Sequence, residues 1–243
     1  MSFNYDLDKI KFGVDSPTFE KALDLYESGK VTKFKEEPGG YMAIVKGTHP
    51  YHVFVSARYY DRGNCDCYLG GQNILCKHMV AVAIYAIAGG SKLSEEDKEL
   101  INGPKCSNIL GELDKEELAK IKKEITTAMS YVKAYIGPSK FWNAYQNSLS
   151  EGCARLSKIV SNLPISEQTS KLLINMLLRL DKKLCTGGVD DSDGAVSGFI
   201  EDTVLVLEEC AKIDPKCIKA FKKLCGQDTC FGWEKPLVRI EEQ

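Results

Sequence analysis

The sequence predicts an α+β protein: a small antiparallel β meander running into a ββα element clipped by three cysteines and a histidine, then an all-α bundle of about five helices. Three observations lead there. Residues 51–60 alternate apolar and polar side chains with the period of two of a half-buried strand. Four soft metal-ligand side chains crowd into residues 65–78, directly before the apolar run MVAVAIYAIA. From Leu113 onward the apolar residues recur at three- and four-residue steps, the period of a helix. The resulting division is residues 1–90 for an N-terminal helix, the meander and the clipped element, 91–112 for a linker, and 113–243 for a helical domain.

The elements follow in chain order. PTFEKALDLYESG places Phe19, Ala22, Leu23 and Tyr26 on one helical face, with Ser16 as its cap and Gly29 as its stop. Three strands are then expected. KVTKFKEE comes first, YMAIVKG follows the turn Pro38-Gly39-Gly40, and YHVFVSARYY follows Gly47-Thr48-His49-Pro50. In the last, Val53, Val55, Ala57 and Tyr59 alternate with His52, Phe54, Ser56 and Arg58. A short helix is expected from His78 to Ile87, and Gly89-Gly90-Ser91 marks the break after it. Beyond it, Leu118, Ile121, Ile125, Ala128, Val132 and Tyr135 define one helix that Gly137-Pro138 ends. Further helices are expected at 140–162, 166–185, 194–212 and 215–225, separated by Leu163-Pro164, Gly187-Gly188 and Asp214-Pro215.

Composition narrows the function classes. Lys and Arg number 32 against 34 Asp and Glu, and a net charge of -2 exerts no global pull toward nucleic acid or membrane. MVAVAIYAIA is far shorter than the roughly 20 residues that span a bilayer, and the first residues carry no apolar signal-peptide core. The chain is therefore expected to be soluble, unexported and cytoplasmic, without a membrane partner. Ten cysteines in such a chain are expected to be thiols and metal ligands rather than a disulfide framework.

Cys65, Cys67, Cys76 and His78 form the pattern C-x-C-x8-C-x-H. A structural zinc ion takes four sulfur or nitrogen ligands in a tetrahedron, and three thiolates with one imidazole complete that set. In extended chain, residues i and i+2 face the same way, so Cys65 and Cys67 can meet one ion where the third strand ends. Gly70-Gly71 and Asn73 turn the chain back to Cys76 at the start of the helix, where unpaired N–H groups favour a thiolate. Lys77 offsets the excess negative charge, and neither it nor Asp66 is needed as a ligand. A redox role for Cys65-x-Cys67 fits less well, because redox pairs are spaced C-x-x-C. A catalytic zinc also fits less well, since four protein ligands leave no open position for water.

The ligand order, the preceding Tyr51-x-Val53-x-Val55 and the following Cys76-Lys77-His78-Met79-Val80-Ala81 resemble a SWIM zinc finger. Tyr26-x-x-Gly29-x-Val31 and Gly47-Thr48-x-Pro50-Tyr51 are similar to the lead-in of prokaryotic members, so the likeness covers residues 20–88. The resemblance implies one structural zinc on Cys65, Cys67, Cys76 and His78 within a strand-strand-helix fold. SWIM domains accompany helicase-type remodelling ATPases, Mutator-like transposases and ubiquitin-pathway proteins, which implies a module that binds DNA or other proteins.

Other signals are weaker. Cys210, Cys217, Cys225 and Cys230 read as buried or surface thiols on two helices in preference to a second metal site or a redox pair. Asp190-Asp191-Ser192-Asp193-Gly194 lacks two carboxylates of a calcium loop and reads as a polar turn capping the next helix. Lys216, Lys219, Lys222 and Lys223 line one side of the last helix, as a solvated face or as nucleic-acid contacts. His49 and His52 read as strand-edge residues. No nucleophile with its base, paired carboxylate or phosphate-cradling glycine loop stands out, and Gly39-Gly40 and Gly70-Gly71 are turns. The expected function is a non-catalytic zinc-binding interaction module whose partner is a protein, DNA, or both, within an intracellular complex. No small-molecule substrate is evident. The alternative is an enzyme with its active site in the helical domain and zinc only propping the fold.

Overall fold

The computed structural model describes residues 5–100, 103–138 and 142–242. The protein is α+β, with one four-stranded antiparallel sheet and about nine α-helices among the described residues. It forms two compact units, residues 1–100 and 101–243. Among the described residues, no helix is long and apolar enough to cross a membrane.

The first unit opens with helix α1 (Leu7–Gly13), capped by Asp6, and α2 (Ser16–Glu27). The sequence periodicity did not reveal α1. The cap of α2 is Asp15, whose Oδ1 accepts the Thr18 N–H at 2.9 Å, so Ser16 lies inside the helix. The sheet follows in the order β1 (Val31–Glu37), β2 (Gly40–Lys46), β3 (Pro50–Ser56) and β4 (Gly63–Cys65), every pair antiparallel. Val31, Tyr41, Ala43, Val45, Val53 and Val55 form its buried face. Helix α3 (Lys77–Ala88) packs against that face and against α1 and α2. Every side chain from His78 to Ile84 is buried, which is why the helix is apolar around its whole circumference.

The expected three-stranded meander is thus a four-stranded sheet, because the third strand stops at Ser56 rather than Tyr60. Ser56 N–H bonds Arg62 O at 2.8 Å and Arg62 N–H bonds Tyr59 O at 2.9 Å, which folds 57–62 into a hairpin and starts β4. Gly63 permits the pairing: a Cβ there would lie 2.1 Å from Phe54 O. After α3, Tyr26 donates its hydroxyl to Ser91 O at 2.5 Å, and Lys98 at the end of the short α4 (Glu95–Lys98) pairs with Glu27 at 2.6 Å.

In the second unit, Gly103–Leu113 is an extended strap. Ile165 N–H bonds Ile109 O at 2.6 Å and Gly111 N–H bonds Ile165 O at 3.2 Å, giving a single parallel bridge. Helices α5 (Lys115–Ala128), α6 (Trp142–Ser161), α7 (Glu167–Cys185) and α8 (Ala195–Ile213) follow. Capping boxes begin α5 at Asp114 and α7 at Ser166. Their apolar faces bury Ile125, Leu149, Leu156, Leu177, Ile200 and Leu207 in one core.

Two expectations change here and one helix is added. Helix α5 ends at Ala128, not at Gly137, because the next turns are held from elsewhere: Lys183 donates to Val132 O at 2.6 Å and Tyr135 N–H to Gly188 O at 3.0 Å. The segment expected as a fifth α-helix is a 3-10 helix, Pro215–Leu224. Helix α9 (Lys235–Glu241) closes the unit, seated by Leu237 and preceded by the buried Trp233.

Candidate metal centre

The sheet and α3 bring the four candidate ligands together. Cys65 ends β4 opposite Val53, on the face that α3 covers. Cys67 follows in the bend just after β4, and its sulfur joins the same cluster. Cys76 is the residue before α3, with extended backbone (φ -124°, ψ 160°), and His78 lies in its first turn. One ligand atom from each of Cys65, Cys67, Cys76 and His78 falls within 4.8 Å of all the others. Cys65, Cys76 and His78 are buried and Cys67 is half-buried.

The distances test the fit. A tetrahedral zinc with ordinary bond lengths sets sulfur and nitrogen ligands about 3.6 Å apart. His78 Nδ1 lies 3.7 Å from Cys65 Sγ and 3.9 Å from Cys76 Sγ. The donor set and its spacing suit a closed four-coordinate metal, and the cluster is compatible with a zinc finger.

A second layer of contacts orients these atoms. The Tyr51 ring stacks on the His78 imidazole with centroids 4.2 Å apart and planes at 23°, and the His49 ring lies 4.2 Å from that of Tyr51. Gly70 N–H donates to Cys67 Sγ at 3.3 Å. Asp66 points away from the cluster and accepts the His52 backbone N–H at 3.0 Å, with its other oxygen 3.0 Å from His52 Nδ1. That contact pins the ligand loop to β3. Gly70 also sits against Cys65, for a Cβ on it would lie 2.2 Å from Cys65 O.

Electrostatically the cluster favours a cation. The hydrogen bond from the Cys65 thiol, helped by His78 and the Met79 N–H, holds the Cys76 thiol down to about 4. The same bond, with burial, pushes the Cys65 thiol up. Thiolates this close together repel one another, and a divalent cation between them would relieve that repulsion. The chain turning between the ligands shows apolar side chains outward: Tyr68 is 81% exposed, Ile74 48% and Leu69 41%.

The remaining candidates are dispersed. Lys216, Lys219, Lys222 and Lys223 are all exposed on the 3-10 helix, whose three-residue turn aligns the first three. Their surroundings are not purely basic, since Lys223 bonds Asn175 and the Glu167 carboxyl, held low first by Lys171, also feels Lys219 and Lys216. A cleft of about 390 Å³ beside them is lined by Glu112, Glu167, Asp214 and Lys216 together with Leu110 and Ile213. The aspartate turn caps α8: Asp191 accepts the N–H groups of Val196 and Ser197, each at 2.8 Å.

Cys185 and Asp181 escaped the sequence reading. Cys230, expected as a thiol beside Cys225, is instead disulfide-bonded to Cys185, 45 residues away. Cys210 lies 3.8 Å from Cys106, sulfur to sulfur, and Cys217 is wholly buried. Compared with family models, curated proteins and solved structures, the chain matches none of them.

Proposed function

We propose that Cys65, Cys67, Cys76 and His78 hold one structural zinc ion in a SWIM-type finger, and that this finger is a non-catalytic interaction module with a protein partner. The zinc is supported by a complete, closely spaced Cys3His donor set. Four protein ligands give the ion a cross-linking role and leave no open position for a substrate or water. The observation that carries the partner is the exposure of Tyr68, Leu69 and Ile74 on the loop that the ligands fix at both ends. Apolar side chains held outward on a pinned loop suit docking better than they suit solvent.

A protein is favoured over DNA because the chain is nearly neutral, with a net charge of -2, whereas nucleic-acid affinity draws on clustered cations. Two measurements test the reading. Elemental analysis of the purified protein is expected to find one zinc per chain. Photo-crosslinking from position 68 is expected to trap a discrete protein adduct that disappears on zinc removal, while titration with single- and double-stranded DNA and RNA across salt yields no steep salt dependence. A folded, metal-free protein would overturn the zinc site. Tight, steeply salt-dependent nucleic-acid binding would overturn the choice of partner.

A further inference from the structure

The C-terminal segment of the helical unit is fastened to the end of α7 through Asp181. Asp181, buried one turn before the end of α7, accepts the Cys230 N–H at 2.8 Å and the Trp233 indole N–H at 2.9 Å, both on Oδ1. Its other oxygen lies 3.6 Å from Cys185 Sγ. Cys185 and Cys230 are both exposed, and their Cα atoms are 5.7 Å apart, within the span that a disulfide bridges without moving the backbone. The hydrogen bonds to Asp181 hold the Cys230 backbone beside the end of α7, within bridging distance of Cys185.

We propose that Cys185 and Cys230 form a reversible thiol–disulfide site, exchanging with glutathione-class thiols and disulfides, that latches Trp233 and α9 onto the end of α7. An incoming thiolate attacks one exposed sulfur, forming a mixed disulfide and releasing the other cysteine as a thiolate that takes a proton from water. A second thiolate resolves the mixed disulfide. The sum is two glutathione thiols and the protein disulfide giving glutathione disulfide and two protein thiols, with two electrons moving to the protein; oxidation is the reverse.

The contrast with Cys106 and Cys210 makes the site selective. Those sulfurs are also close, at 3.8 Å, but Cys210 is buried, and burial raises its thiol away from the reactive thiolate. The latch has something to control. An open cleft of about 320 Å³ lies between the 3-10 helix and α9, lined by Gln227, Glu234, Lys235 and Arg239 among others, and Trp233 and Leu237 are the buried anchors that the latch would hold in place.

The test uses the full-length, zinc-loaded protein equilibrated in graded glutathione and glutathione-disulfide buffers, acid-quenched, alkylated and mapped by mass spectrometry. Cys185 and Cys230 are expected to convert together between thiol and disulfide across the series, while Cys106 and Cys210 stay thiols. Hydrogen exchange of residues 226–242 is expected to be faster by about tenfold or more in the reduced form. Cys185→Ser, or the double Cys185→Ala/Cys230→Ala, is expected to show the fast rate in both buffers. Thiols that persist under the most oxidising buffer, a bond that resists the most reducing one, pairing of Cys230 with Cys225, or exchange that ignores the redox state would each overturn the proposal.

Discussion

Trp233 donates its indole N–H to Oδ1 of Asp181 at 2.9 Å, joining the chain after the 3-10 helix to the end of α7 across 52 residues of sequence. The Cys230 N–H shares the same oxygen. Removing the acceptor leaves the buried Trp233 indole N–H unpaired, at about 1–3 kcal/mol, and the part-buried Cys230 N–H as well. Asp181→Ala is therefore expected to destabilise the helical unit by about 2–4 kcal/mol in urea unfolding, with Trp233 emission shifting to the red. Asp181→Asn keeps an acceptor and is expected to lose less than half as much. Equal losses for both variants would locate the effect in the charge rather than in the pair of hydrogen bonds.

Gly70 and Gly71 are neighbours with opposite expectations. A Cβ on Gly70 would lie 2.2 Å from Cys65 O and 2.6 Å from Cys65 Cβ, so alanine there must push a ligand out of place. A Cβ on Gly71 meets nothing within 4 Å. Gly70→Ala is expected to weaken zinc affinity by about 10- to 100-fold, the usual cost of disturbing a group that orients a ligand, when measured by competition with a chromogenic chelator. Gly71→Ala is expected to be within about 0.5 kcal/mol of the parent. If the two variants bind zinc alike, crowding at Cys65 does not govern the site.

Zinc removal sets the two units against each other. Binding at structural sites of this kind is worth on the order of 10 kcal/mol, comparable to the whole stability of a small domain. Chelation, or Cys76→Ser, is expected to loosen residues 60–88 in hydrogen exchange while α6, α7 and α8 keep their protection. Loss of protection in both units together would mean that they fold as one.

The readable parts of this molecule are those whose signal is local. Cys65 and Cys67 lie two residues apart at and just after the end of β4, and Cys76 and His78 lie two apart at the start of α3; both appear in the sequence as C-x-C and C-x-H spacing. The apolar period likewise located α6, α7 and α8. β4 was not legible because Gly63 and Asn64 have little strand preference; that strand exists through its close approach to Phe54. The end of α5 was hidden because Val132 and Tyr135 keep helical spacing, while Lys183 and Gly188, about 50 residues on, hold their backbone. The Asp181, Cys185 and Cys230 group has no local pattern at all. Its members meet only because α7 and the C-terminal segment pack together.

The two tryptophans offer a direct reading of one carboxyl. Trp142, at the start of α6, donates its indole N–H to Asp190 Oδ2 at 3.2 Å. The Ser192 hydroxyl and this indole hold the Asp190 carboxyl below its ordinary value. A depressed acid binds protons more weakly in the folded protein than in the unfolded chain. Its stabilising contribution is thus complete above the unfolded value of about 3.9 and is lost as pH falls through the lower, folded one. In protein labelled with ¹⁵N-tryptophan, the Trp142 indole resonance is expected to stay fixed from neutral pH down to about 4 and to move only below it. Asp190→Asn is expected to abolish that movement and leave the Trp233 resonance where it was. A Trp142 midpoint at or above the ordinary carboxylate value would show that the indole and the serine do not favour the ionised form.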